Sequence, residues 1–189
     1  ECPTKLFYTR KEGYPDQTDE DAFIAALAEG GYQVGELARR YYPGGVNIET
    51  LDYAEAEAAT AALMKQNKVV LYEPAFRFGN LFIRIDILVK DGKKLRLIEV
   101  KSKSFYKEDS FLTKAGKISS AWEPYLQDVA FQKYVLGNAC PDCKVSAYLM
   151  MADKNAACPV DGLNQKFRII RDASNRKGVR VSTSLAASD

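Results

Sequence analysis

The sequence predicts an α/β fold in which helices cover both faces of a mixed β-sheet. The alanine-rich stretch 50–67 is typical of a helix, and three β-prone segments follow between residues 68 and 104. A second helical pattern at 122–137 precedes a further β-prone segment at 144–152. Because a sheet built in this order must bury two apolar faces, we expect an α/β sandwich.

Composition suits one soluble globular domain. The chain has 189 residues, of which 47% are hydrophobic and 28% charged, and we expect a single domain over 1–189 with a core at about 30–155. No apolar run approaches the ~20 residues that span a bilayer, so we expect no membrane partner and a cytoplasmic location. Since the chain starts at Glu1, we expect a fragment whose parent protein supplies further domains as partners.

The first 50 residues predict helices. Residues 2–8 indicate a short helix or turn, and a helix beginning at Thr18 is expected to break at Gly30-Gly31. A second helix is expected over 32–42, and in it Glu36 lies beside an apolar stripe. The sequence contains no histidine, which excludes His-based acid–base chemistry and Ser-His or Cys-His nucleophile pairs.

A first strand is expected over 68–78, with a bulge or sheet edge where Glu73 precedes Pro74. Gly79-Asn80 then predicts a tight turn into the next strand. After the second helix, 144–152 predicts a strand and 165–170 a last one. The order of these elements supports the α/β assignment.

The stretch 81–104 predicts a β-hairpin that turns at Asp91-Gly92. Asp86 belongs to the first arm, and near the end of the second arm Glu99 and Lys101 are separated by one residue. Because strand side chains alternate, Glu99 and Lys101 should share a face. Pairing around the turn would place Asp86 on the strand next to Glu99. Two carboxylates beside a lysine can bind a hard divalent cation and stabilise charge on a phosphate.

The alternative interpretation of these charges is the solvated face of an antiparallel strand. Asp86 stands alone among isoleucine, leucine and phenylalanine residues, although aspartate is disfavoured inside strands. Glu99 is also surrounded by apolar neighbours. Since a buried carboxylate needs a metal or a charged partner, we favour the site.

Asp86, twelve intervening residues and then Glu99-Val100-Lys101 resemble the core motif of the PD-(D/E)XK nuclease superfamily. The flanking elements resemble its RecB-like branch, which includes the CRISPR-associated exonucleases, over about 30–155. The resemblance implies a restriction-endonuclease-like three-layer sandwich with a central mixed sheet. It also implies Mg²⁺ or Mn²⁺ as cofactor, held by Asp86, Glu99, the Val100 carbonyl and Glu36, which replaces a histidine common in the family.

The helix at 122–137 is where RecB-like nucleases carry a glutamine, commonly followed by a tyrosine one turn later. Gln127 shares a helix face with Ala130, Phe131 and Tyr134, so we assign it to the site together with Asp86, Glu99 and Lys101. Phe131 stands where the tyrosine would be expected. Gln132 is the alternative.

The segment 103–120 is polar and predicts a mobile loop over the site. Phe105, Tyr106 and Phe111 could stack on bases, or they could attach the loop to the domain. Cationic residues gather along the hairpin and its exit, where they would suit a phosphate backbone or a solvated sheet edge. These residues are Lys90, Lys93, Lys94, Arg96, Lys101, Lys103 and Lys107.

The four cysteines offer a second metal hypothesis. Some RecB-like nucleases hold an iron–sulfur cluster on one N-terminal and three C-terminal cysteines. Here Cys140 and Cys143 precede the 144–152 strand, Cys158 follows it, and Cys2 lies far upstream. This spacing differs from the family's C-terminal group. We therefore favour free thiols over an iron–sulfur cluster or a zinc site on these four residues.

The resemblance thus implies a divalent-metal-dependent DNA nuclease, exonuclease-like in its cutting. The alternatives are a nucleic-acid-binding module with an inactive nuclease-like site and an interaction domain without a nucleic-acid partner. RNA stays open as a substrate, because phosphate chemistry is shared and no base-reading motif is visible.

Overall fold

The computed structural model describes residues 3–8, 11–14, 22–171 and 179–184. The helices are α1 (Pro3–Tyr8), α2 (Ala22–Arg40), α3 (Tyr53–Leu63) and α4 (Glu123–Ala139). The strands are β1 (Val46–Asn47), β2 (Lys68–Tyr72), β3 (Ala75–Phe78), β4 (Leu81–Arg84), β5 (Ile87–Asp91), β6 (Lys94–Phe105), β7 (Lys144–Asp153), β8 (Phe167–Arg171) and β9 (Val179–Thr183).

A mixed five-stranded sheet forms the centre, in the order β1-β2-β5-β6-β7. Strands β2, β5 and β6 are antiparallel neighbours, whereas β1 runs parallel to β2 and β7 runs parallel to β6. The predicted hairpin is confirmed, but its two-residue loop is Gly92-Lys93, one position later than the predicted turn at Asp91-Gly92. Asp91 pairs with Lys94, and Gly92 takes a φ of 58° in the loop. The α/β class with a mixed sheet is therefore confirmed.

Helices pack on both faces of this sheet. On one face, leucines of β2, β5 and β6 form a core with Val135 and Leu136 of α4 and with the β3–β4 hairpin. On the other face, Tyr72, Ile87 and Ile98 pack against Ala38 of α2. Successive residues of β6 thus belong to opposite cores, as the alternation of strand side chains requires.

The expected helix break at Gly30-Gly31 is wrong, because α2 runs without interruption from Ala22 to Arg40. A helix-interior glycine costs about 1 kcal/mol relative to alanine. Packing of the C-terminal part of α2 against the sheet offsets this cost. The predicted start at Thr18 lies outside the described residues.

The predicted first strand divides at Glu73 and Pro74. Glu73 has a φ of 56°, a left-handed conformation that is strained for a residue with a side chain, and Pro74 has no N–H for a ladder. The chain therefore leaves the central sheet, and β3 pairs with β4 as a separate hairpin. Asp86 consequently lies in the bend between β4 and β5 rather than inside a strand.

Three other elements differ in extent from their predictions. The alanine-rich helix α3 is shorter than 50–67 and begins after Asp52, whose side chain caps it by accepting from the Glu55 N–H. The predicted last strand begins later, as β8, and pairs with β9 outside the central sheet. Within 103–120, β6 continues to Phe105, whose ring contacts those of Phe111 and Trp122. These rings attach the segment to the domain.

No helix in the described part of the chain combines the length and apolarity needed to cross a bilayer.

The continuity of α2 can be tested with Gly31→Ala. A β-carbon at this position meets no atom within 4 Å, so the substitution should add helix propensity without a clash. We expect the free energy of unfolding to rise by about 0.5–1 kcal/mol, measured by urea denaturation. Gly45→Ala is the contrasting variant, because its β-carbon would lie 2.3 Å from the Tyr72 ring and should lower stability. A destabilised Gly31→Ala protein would contradict an uninterrupted helix.

Candidate metal and catalytic site

Asp86 and Glu99 come together where β5 begins and β6 approaches its C-terminal half. The pairing of Ile87 with Ile98 brings the two acids onto adjoining strand segments. The Val100 N–H donates to Asp86 Oδ2 at 2.6 Å, which fixes the aspartate against β6. The sequence-based prediction that these carboxylates adjoin is confirmed.

Lys101 lies between two carboxylates. Its Nζ is 2.6 Å from Glu99 Oε1 and 2.7 Å from Asp128 Oδ2 of α4. The predicted shared face of Glu99 and Lys101 is thus confirmed, while Val100 packs into the opposite core. Burial alone would lower the pKa of Lys101, but the hydrogen bonds to Asp128 and Glu99 outweigh it and raise that pKa above its usual value. The lysine is therefore a cation at neutral pH.

Gln132 of α4 completes the contacts around Glu99. Its Nε2 donates to Glu99 Oε2 at 2.7 Å and to Asp128 Oδ1 at 3.3 Å. Gln132 is only 5% exposed, and its Oε1 has no hydrogen-bond partner in the structure. A buried amide oxygen without a partner is unusual and leaves one acceptor free beside the carboxylates.

The assignment of Gln127 to the site is wrong. Gln127 is exposed and donates to Glu123 at 3.2 Å, and Phe131 and Tyr134 on the same helix face are 43% and 55% exposed. The face of α4 that packs toward the sheet is instead the one that carries Asp128 and Gln132. These two residues are four apart and precede the buried Val135 and Leu136, so the pattern i, i+4, i+7, i+8 was the available signal.

Glu36 forms an ion pair with an arginine rather than a recorded contact with Asp86 or Glu99. Its carboxylate is 3.7 Å from Arg39, and Arg39 also binds Glu73 at 3.1 Å. Glu73 is the nearer acid to Asp86: its N–H donates to the Asp86 carbonyl at 3.2 Å, and its negative charge raises the pKa of Asp86. Glu73 is thus the acid whose charge acts on Asp86, although its own carboxylate is paired with Arg39 and, at 3.8 Å, with Arg84.

Both central carboxylates resist ionisation. Burial raises the pKa of Asp86 to about 6, although the hydrogen bond from Val100 opposes the shift. Burial and then the charge of Asp86 raise the pKa of Glu99 to about 7, against the effect of Lys101 and Gln132. For Asp128, burial is outweighed by its hydrogen bonds to Lys101 and Gln132, which lower the pKa. The positive charge that the protein places near these two acids is therefore too small to keep their pKa values at the usual level.

Within the described ranges, no group of three or more cysteine, aspartate or glutamate side chains is arranged to hold a metal ion, either around Asp86 and Glu99 or elsewhere. Cys140 and Cys143 are free thiols that pack against the first core, and Cys158 is an exposed free thiol. Burial and then the neighbouring Cys143 raise the pKa of Cys140, so its thiol is protonated at neutral pH. Cys2 lies outside the described residues.

Comparison of the chain with protein-family models, curated proteins and solved structures found no match. The site is therefore interpreted from its own geometry.

The raised carboxylate pKa values predict how stability depends on pH without metal. A carboxyl whose pKa is higher in the folded state stabilises that state at low pH, and the contribution is lost as pH rises through the folded value. We expect the free energy of unfolding to decrease between about pH 4 and 7, by on the order of 3 kcal/mol per carboxyl.

Urea denaturation in EDTA at a series of pH values measures this dependence. Glu99→Gln should flatten the decrease, because it removes one of the two groups and its repulsion of Asp86. Glu108→Gln, the same change at an exposed residue, should leave the curve as in the wild type. Parallel curves for the wild type and Glu99→Gln would show that Glu99 does not titrate in this range.

Proposed function

We propose that this chain is a divalent-metal-dependent DNA nuclease that hydrolyses phosphodiester bonds, with the restriction-endonuclease-like fold of the RecB-like PD-(D/E)XK enzymes. The observation that carries the proposal is the pair of acids, the buried Glu99 and the half-buried Asp86, beside the protonated Lys101. The strand order β1-β2-β5-β6-β7, with β7 parallel to β6 after α4, supports the fold assignment.

The donor set fits Mg²⁺ or Mn²⁺. Both acids offer oxygen ligands, and their raised pKa values reflect a cost of burying negative charge that a dication would offset. Mg²⁺ is commonly bound by only one or two protein carboxylates, with water and substrate phosphate supplying the other ligands. Asp86 and Glu99 therefore suffice as side-chain ligands. The Val100 carbonyl is a further oxygen at this position, and Glu73 is the adjacent acid.

A bound dication would polarise the phosphate and lower the pKa of a water molecule. The surrounding side chains would then determine orientation and charge. Lys101 is kept protonated by Glu99 and Asp128, so in the proposal its ammonium stabilises the negative charge that develops on the phosphate and does not act as a base. Gln132 acts through Glu99, because its Nε2 donates to Glu99 Oε2 while its Oε1 is too buried to meet a substrate.

The proposal is tested by a cleavage assay on linear and covalently closed circular DNA with Mg²⁺ or Mn²⁺. Asp86→Asn and Lys101→Met should each lower the rate by about 100-fold or more, because each removes a charge that acts in the transition state. Lys65→Met, at an exposed position just after α3, is the control for losing one lysine and should cut normally. An exonuclease should degrade the linear form and spare the circle.

EDTA should abolish cleavage by the wild type. Equal cleavage by the wild type and both site variants, after control for contaminants, would remove the assignment. A wild-type protein that binds DNA with or without metal and never cuts it would instead favour the binding module with an inactive site.

The assignment of Gln132 is tested against Gln127 on the same helix. Gln132→Leu should reduce the rate or the apparent affinity for Mn²⁺ by about 10- to 100-fold, because Glu99 loses the group that orients it. Gln127→Leu is the same chemical change on the exposed face and should behave as the wild type. The measurement is the cleavage rate as a function of Mn²⁺ concentration. If the two variants behave alike, Gln132 has no special role.

A further inference from the structure

An open cleft of about 350 Å³ lies at the hairpin end of the central sheet. We call it the hairpin cleft; strands β5, β6 and β7 line it. Three cationic side chains border it, from Lys94 and Arg96 on β6 and Lys144 on β7. All three are exposed.

These three cations lie close together in the ladder. Lys94 is the register partner of Lys144, and Arg96 pairs with Ser146 two positions farther along. Like charges at paired positions of neighbouring strands, which are about 4.8 Å apart, destabilise a sheet. Asp91 is the only acid among the described residues that line the cleft, and it forms an ion pair with Lys68 at 3.4 Å. Asp91 is also the register partner of Lys94 across the hairpin, so the described lining has one acid, already paired with Lys68, for three cations. The cleft therefore keeps an excess of positive charge.

The floor of the cleft is less polar than its border. Val89 of β5 and the half-exposed ring of Tyr148 on β7 contribute apolar surface between the cations. Lys94 and Arg96 project from the same face of β6 at a separation of about 7 Å along the strand. Cations in a row beside an apolar floor suit a linear sugar–phosphate chain better than a single small anion.

The hairpin cleft is separate from the site of Asp86, Glu99 and Lys101. Arg96 and Lys101 are five residues apart, about 17 Å along an extended strand, and side-chain alternation directs them to opposite faces of β6. A ligand bound in the cleft would thus leave the carboxylates accessible.

We propose that the hairpin cleft is a second nucleic-acid contact surface, in which Lys94, Arg96 and Lys144 bind the phosphate backbone outside the site of cleavage. The choice of nucleic acid as the polyanion rests on the proposed function. The binding itself requires neither metal nor catalysis, so it is tested independently of cleavage.

The test compares two triple variants in EDTA by fluorescence anisotropy, with a labelled DNA duplex of about two helical turns at several salt concentrations. Lys94→Gln, Arg96→Gln and Lys144→Gln together should weaken binding by about tenfold or more. They should also lower the slope of log K against log salt by about 2 to 3, since three phosphate contacts are lost. Lys65→Gln, Lys154→Gln and Arg168→Gln together remove the same charge at exposed positions elsewhere and should change both quantities much less.

Thermal melting of the same proteins gives an independent measure. The cleft variant should melt about 1–3 °C higher than the wild type at low salt, because the repulsion within the cleft is removed. A higher melting temperature together with weaker binding also shows that the loss of affinity does not come from unfolding.

Three results would overturn the inference: equal DNA affinity in the cleft variant and the wild type, an equal loss in both triple variants, or competition by polyglutamate as effective as that by DNA of equal charge. Cleavage data instead test the proposed nuclease function. If the protein binds DNA through the cleft but never cuts it, the cleft proposal stands and the nuclease assignment is lost. If instead the cleft variant cuts DNA and binds it as the wild type does, the cleft proposal is lost and the nuclease assignment stands.

Discussion

The repulsion between the carboxylates of the half-buried Asp86 and the buried Glu99 is the constraint on which the site depends. Placing two acids together where little water reaches them costs folding stability, and the pKa values of both rise as a result. The β5–β6 register brings them together, and the Val100 N–H holds Asp86 in place. Lys101 supplies one positive charge, which it shares with Asp128, so the pair retains an excess of negative charge that suits a divalent cation.

The rest of the structure positions these few groups. The strained backbone at Glu73 and the missing N–H of Pro74 direct β3 and β4 away from the central sheet, and the chain returns to it at Asp86. Helix α4 packs on the face that carries Glu99 and contributes Asp128 and Gln132 as neighbours of the carboxylate and the lysine. Helix α2 covers the other face and supplies Arg39, which holds Glu73 and Glu36. Each of these elements therefore places side chains at the site or next to it.

The sequence predicted what depends on short-range rules. The Asp-Gly pair predicts a tight turn, which the structure has at Gly92-Lys93, and the period of two in the following strand determines that Glu99 and Lys101 share a face. Prediction from the sequence failed where long-range packing determines the structure. The exposed aromatic rings of Phe131 and Tyr134 resemble a buried stripe, so the wrong face of α4 was assigned. Gly30-Gly31 resembles a helix end, but tertiary packing keeps α2 continuous. The i, i+3 spacing of Glu36 and Arg39 can be read from the helix, whereas the contact of Arg39 with Glu73, 34 residues along the chain, depends on tertiary packing.

The central claim is that the acids of the β5–β6 hairpin form a cation site, and a manganese-soaked crystal tests it directly. The account predicts an anomalous-scattering peak between the carboxylates of Asp86 and Glu99, within direct coordination distance of an oxygen of each. A crystal soaked in Mn²⁺ at neutral pH that shows no peak there, with the Lys101 ammonium still bridging Glu99 and Asp128, would contradict it.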